Sequence, residues 1–121
     1  MRGDKEMCLH KYIEERPWGR FEQFFTNTNC TVKILILEAG QALSLQYHNF
    51  RDEFWRVLQG NGTFIIDEGE KLGRKDDEFF IPRMTHHRII AGENGVEVLE
   101  IAFGEFDEQD IVRIEDRYSR A

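Results

Sequence analysis

The sequence predicts a single all-β domain, a barrel or jelly roll, and three observations carry that expectation. The chain has 121 residues, the length of one domain, with no room in it for a separate nucleotide-binding or regulatory unit. Its middle is a succession of runs of four to eight residues, most of them rich in Val, Ile, Leu, Phe or Trp. Residues that turns require fall between the runs, and such punctuation marks short strands that close on one another.

Taken in order, eight strands are expected. Residues 20–25 bring Phe21, Phe24 and Phe25, and residues 31–37 hold the longest aliphatic run before Ala39-Gly40 ends them. Residues 42–48 pass through Leu43, Leu45 and Tyr47 to His48. Residues 54–59 open on Phe54-Trp55 and close at Gly60-Asn61-Gly62, and residues 63–67 close at Glu68-Gly69. Gly73 interrupts the chain before residues 78–81, which lead into Pro82. Residues 87–91 stop at Gly92-Glu93-Asn94-Gly95, and residues 96–103 are the last strand. Helical turns are expected only at the ends, over residues 6–15 ahead of Pro17 and over residues 108–117. Residues 1–11 read as an N-terminal extension of a domain covering residues 12–121.

Sixteen basic against 23 acidic side chains leave a net charge of −7. That balance provides no bulk attraction for nucleic acid or an anionic membrane, so neither is an expected partner, and an anionic ligand needs a local cluster of cations. The charged N-terminus is followed by no apolar stretch of signal length, and no run is long enough to cross a bilayer, so a cytoplasmic location is expected. Cys8 and Cys30 lack the paired spacing of thiolate metal sites. Residues 105–116 carry six carboxylates and one arginine, which reads first as a solvated acidic face.

The chemistry concentrates between Gly40 and Gly60. Side chains alternate along a strand, so Gln46 and His48 project to one side, and the loop of residues 49–52 lets Glu53 return beside them. His87, opening another strand after Pro82-Arg83-Met84-Thr85-His86, supplies a fourth ligand. Oxygen and imidazole donors suit one divalent metal ion, zinc first, with cobalt, manganese, nickel or iron also fitting. One histidine beside a glutamate is ordinarily a surface pair; the spacing sets this group apart.

That spacing resembles the first signature of the cupin superfamily. Gly40, Gln46, His48, Glu53 and Gly60 fill its places, with Gln46 where most cupins have histidine. In the second signature Pro82 and His87 fit, while Asp76 and Met84 replace glycines and Ala91 an asparagine, which predicts a distorted turn before His87. The resemblance implies a double-stranded β-helix, the jelly-roll barrel of cupins. Arg16-Pro17-Trp18-Gly19, Ser44-Leu45-Gln46-Tyr47-His48, Arg51-Asp52-Glu53, Ile81-Pro82, His87-Arg88 and the tail from Asp110 to Asp116 further resemble the type II mannose-6-phosphate isomerases. That family also forms the C-terminal half of bifunctional enzymes joined to mannose-1-phosphate guanylyltransferase, and the likeness runs from about residue 12 to 120. Phe54 stands where the family usually has histidine, and Ser119 interrupts its final Tyr-Gly-Arg. Strand parity turns residue 54 away from Glu53.

The resemblance implies a sugar phosphate substrate and an aldose-ketose isomerisation between mannose 6-phosphate and fructose 6-phosphate. Arg51, Arg88, Arg16 and Lys33 are the candidate phosphate cations, since arginine in particular binds phosphate bidentately. Trp18 can offer a flat face to the sugar ring. Asp52 and His86 are the candidate catalytic proton carriers, although parity favours neither, and metal-bound hydroxide is an alternative. A homodimer is expected, with the segment up to Phe25 contributing to the interface. Another metal cupin enzyme, such as a dioxygenase, and a non-catalytic sugar-binding cupin are the competing readings, because this fold hosts many chemistries.

Overall fold

The computed structural model describes residues 11–118. Among them are nine strands and no helix: β1 (Tyr12–Arg16), β2 (Gly19–Gln23), β3 (Cys30–Leu37), β4 (Leu45–Tyr47), β5 (Arg51–Ile66), β6 (Gly69–Arg74), β7 (Glu78–Ile81), β8 (His87–Gly104) and β9 (Val112–Glu115). β1 and β2 form a separate hairpin, and the other seven strands form one antiparallel sheet that wraps around a core. Cys8 and residues 1–10 of the expected extension lie outside the described residues, as do Ser119 and Arg120.

Both ends depart from expectation. Residues 12–16 are a strand rather than a helical turn, because Pro17 and Trp18 occupy the centre of a tight turn that pairs Arg16 with Gly19 and folds β1 onto β2. Lys11 and Arg56 both bind Glu22 and Glu78, fastening this hairpin to β5 and β7. At the other end, residues 112–115 are extended rather than helical. They pair with β4 across Leu45↔Glu115, Gln46↔Arg113 and Tyr47↔Val112, covering an edge that β4 would otherwise leave open.

The expected strands at residues 54–59 and 63–67 are one strand, β5, and those at 87–91 and 96–103 are one strand, β8. The glycine clusters between them are bends within paired strands, marked by register shifts at Val57/Gln59 and Gly60/Gly62. Gly60 at φ +79° and Gly95 at φ +76° face each other there, and a Cβ on Gly60 would lie 2.2 Å from the Gly95 carbonyl oxygen. Only glycine permits that approach. Residues 69–74, expected as a break, are strand β6 paired with β5.

The two long strands present one face each to the barrel interior. On β8 the buried row is His87, Ile89, Ala91, Val96, Val98, Glu100 and Ala102. On β5 it includes Arg51, Glu53, Trp55, Val57 and Phe64. Val57, Phe64, Ile81, Ile89, Val96 and Val98 fill one part of the interior with apolar atoms, each large side chain contributing about 1.5–3 kcal/mol of burial energy. The polar members of the rows gather in the other part, and Trp55 stands between the two, against both Phe64 and His87.

Candidate functional site

Gln46 on β4 and His87 on β8 face each other in the antiparallel register. His48 follows at the end of β4, and the loop that leads into β5 returns Glu53 to the same point. One ligand atom from each of His48, Glu53 and His87 lies within 4.8 Å of the other two, and all three side chains are buried. Among the described residues this is the one cluster of His, Cys, Asp or Glu with metal-ligand geometry.

Both imidazoles are oriented by backbone. His48 Nδ1 donates to the Asp110 carbonyl at 2.6 Å and His87 Nδ1 donates to the Thr85 carbonyl at 2.9 Å. Each ring is thereby held as the tautomer whose Nε2 lone pair faces the cluster, the arrangement that metal-binding histidines need. His87 Nε2 and Glu53 Oε1 are 3.5 Å apart, and both are buried without a hydrogen-bond partner. Burial lowers the His48 pKa and brings His87 down to about 3, so both rings are neutral at physiological pH. Two orphaned polar atoms beside two neutral imidazoles fit a divalent cation as the missing partner. Gln46 lines the same cavity, its Oε1 accepting from Ser44 Oγ at 2.8 Å.

Arg51 also points inward. Its Nε binds Glu53 Oε2 at 3.0 Å, Nη1 donates to the Asp107 carbonyl at 3.0 Å, and Nη2 lies 3.3 Å from His48 Nε2. Its guanidinium sits over the Phe106 ring. Burial raises the Glu53 pKa, with Arg51 opposing the rise. Lys33, inward on β3, lines the cavity nearer solvent and pairs with Glu108 at 2.7 Å. This cavity is about 130 Å³. Larger hollows of about 570 and 610 Å³ lie beside Gly62 and Gly95, away from the ligand cluster.

The other candidates from the sequence are elsewhere. Arg16 pairs with Glu14 and Trp18 is 69% exposed at the hairpin tip. Arg88 points across the sheet, donating to the Leu43 carbonyl and reaching Glu115. Asp52, on the opposite face of β5 from Glu53, accepts from the Arg83 backbone and pairs with its guanidinium. His86 is exposed and stacks on Tyr47. None of these five lines the cavity.

Two carboxylates escaped the sequence reading. Asp110, in the stretch read as a solvated acidic face, is buried and accepts from the backbone N–H groups of Asn49 and Phe50, which clamps the tail onto the loop after His48. Glu100 is 7% exposed, lines the cavity and accepts from Trp55 Nε1 at 3.0 Å. Burial, and after it the Glu53 carboxylate, raises Glu100 to about 6. Its signal was available: an acid in the apolar alternation Val96, Val98, Glu100, Ala102 on a strand is a charge directed into a core.

The residues that replace the glycines of the second signature keep a glycine-like backbone. Asp76 and Met84 stand at φ +76° and +66°, the left-handed conformation that suits glycine, and the Met84 N–H donates to the His48 carbonyl. Phe54 faces away from the ligands and packs against Phe24.

Comparison with known proteins places these features in context. The model of the family described as mannose-6-phosphate isomerase C-terminal matches residues 2–116. The mannose-1-phosphate guanylyltransferase ManC of Salmonella typhimurium is 32% identical over 120 residues, which is 98% of this chain and 25% of the relative. The chain thus spans about a quarter of the length of that curated relative. Among solved structures, the dTDP-6-deoxy-D-glucose-3,5-epimerase of Legionella pneumophila superposes with a TM-score of 0.66 at 12% identity, over 86% of this chain and 69% of that one. A cupin protein from Bacteroides fragilis superposes at 0.58 and 22% identity, over 69% and 75% of the two chains. The fold is the cupin double-stranded β-helix.

Proposed function

The chain belongs to the mannose-6-phosphate isomerase C-terminal family, and on that premise we propose that it is a metal-dependent isomerase interconverting mannose 6-phosphate and fructose 6-phosphate. The observation that carries this reading is the buried His48, Glu53 and His87 cluster, with two orphaned ligand atoms, in a cavity that Lys33, Arg51 and Arg113 also line. With Gln46 these residues would hold one divalent ion. Such an ion supplies Lewis acidity at the sugar oxygens, where negative charge develops during isomerisation.

The chain's own groups account for the rest. Of the three cations that line the cavity, Arg51, Lys33 and Arg113, the two expected from the sequence reach a phosphate from different sides, Lys33 from the solvent side and Arg51 from beside the ligands. Both are already paired with carboxylates, so a dianionic phosphate exchanges with Glu108 at Lys33 and draws on the Arg51 N–H groups that now bind backbone and imidazole. Phe106 lies against the Arg51 guanidinium, and Ile111 lines the cavity from the tail side. A homodimeric cytoplasmic enzyme, with its catalytic domain in residues 12–121, belongs to the same proposal.

The test is conversion of fructose 6-phosphate to mannose 6-phosphate by protein loaded in turn with zinc, cobalt, manganese, nickel and iron. Product is expected with at least one metal, with deuterium entering at C2 in deuterated water to the extent that the proton carrier exchanges. Stoichiometric metal with no conversion of any hexose phosphate would refute the isomerase reading and favour a sugar-binding role.

A further inference from the structure

Isomerisation through an enediol needs a group that removes a proton from carbon, and the two residues that sequence proximity suggested, Asp52 and His86, do not line the cavity. We propose that Glu100 carries the substrate proton between C2 and C1, an inference that rests on the isomerase reading above.

The argument is one of position and elimination. Glu100 lies on β8 opposite Trp55 of β5 and Lys33 of β3, in the inward row that also holds His87. It lines the cavity alongside His48 and Glu53 but is not a member of the ligand cluster. Trp55 Nε1 donates to its Oε1, which fixes the orientation of the carboxylate. The other acids near the cavity are occupied. Glu53 belongs to the ligand set, Glu108 is exposed on Lys33, and both Asp110 oxygens accept backbone N–H groups. A buried carboxylate inside an apolar row costs stability that an amide or apolar side chain would avoid, so its placement there calls for a role other than packing.

The step balances within the sugar and this one side chain. A Glu100 oxygen takes the proton from C2 of open-chain mannose 6-phosphate, and the C–H electron pair becomes the C1–C2 double bond. The carbonyl pair moves onto O1, which takes up the proton that O2 gives up. The C2–O2 bond then becomes the ketone, and the C1–C2 pair recovers the proton from Glu100 at C1. No external oxidant or reductant enters.

The experiment uses metal-loaded protein carrying Glu100→Gln or Glu100→Asp, with mannose 6-phosphate in water and in deuterated water. For Glu100→Gln, one metal per chain and a KM within about threefold of the parent are expected, with kcat and solvent deuterium incorporation both down by about 10²–10⁴-fold, the usual contribution of a positioned base. Glu100→Asp, which keeps the charge but withdraws it by one methylene, is expected to lose kcat by at least about tenfold with metal and KM retained, and it decides the matter if the glutamine variant does not fold. A kcat within about threefold of the parent in a folded variant overturns the assignment to Glu100 and leaves the isomerase reading intact. Loss of the metal in Glu100→Gln overturns it too, by making Glu100 a ligand. Absence of turnover in the parent protein refutes both.

Discussion

Replacing Glu100 by glutamine should make the metal-free protein more stable at pH 8 even as it removes the proposed activity. Burial and the nearby Glu53 carboxylate raise Glu100 from an ordinary 4.5 to about 6. Each pKa unit is worth 1.36 kcal/mol, so the ionised side chain costs the fold about 2 kcal/mol. The folded carboxyl holds its proton more tightly than the unfolded one. The penalty is therefore complete above pH 6, shrinks as the pH falls from about 6 toward 4.5, and is absent below. Glutamine is nearly isosteric and its carbonyl can still accept from Trp55 Nε1. Urea melts of parent and variant in chelator should differ by about 2 kcal/mol at pH 8, equivalent to roughly 8 °C in melting temperature for a domain of this size, and by little at pH 4.5. A variant no more stable than the parent at pH 8, or a gain that does not change with pH, would refute the reasoning.

Other outcomes follow from the same structure. His48→Ala together with His87→Ala should abolish stoichiometric metal by elemental analysis, and retention of one metal per chain would make the ligand assignment wrong. Arg51→Met leaves the buried Glu53 without its guanidinium partner and should destabilise the metal-free protein by about 3 kcal/mol in urea melts at pH 8. Met84, at φ +66° and 65% exposed, carries a left-handed cost of roughly 1–2 kcal/mol, so Met84→Gly should raise stability by about 0.5–1 kcal/mol after the entropy of the added glycine. Gly60→Ala should cost about 2–3 kcal/mol, because its Cβ meets the Gly95 carbonyl in a backbone conformation that alanine avoids; a change under about 0.5 kcal/mol would contradict the bend described for β5 and β8.

What could be read from the sequence was local. The all-β class follows from runs of apolar residues separated by turn formers, and Gln46, His48 and Glu53 could be placed together because strand parity and a four-residue loop act over about ten positions. His87 was placed as a ligand by its position at the start of a later strand, and the family spacing reinforced it. Where pairing partners lie far apart in the chain, the sequence was silent or misleading. Whether Gly60-Asn61-Gly62 turns the chain back or bends a continuing strand depends on Gly95 across the sheet, 35 positions away. Whether residues 112–115 coil or extend depends on the open edge of β4. Parity already turned Asp52 and His86 away from the ligands, whereas only the tertiary structure set Glu100 beside His48 and Glu53 and clamped Asp110 onto the loop after His48. Strand parity tells which face a neighbour takes but not what stands opposite it, and a residue about fifty positions away can lie directly across a ladder, as Ala102 does from Glu53. A barrel made of long antiparallel strands creates its site from such non-local contacts, so the ligands with local spacing were legible and the groups that surround them were not.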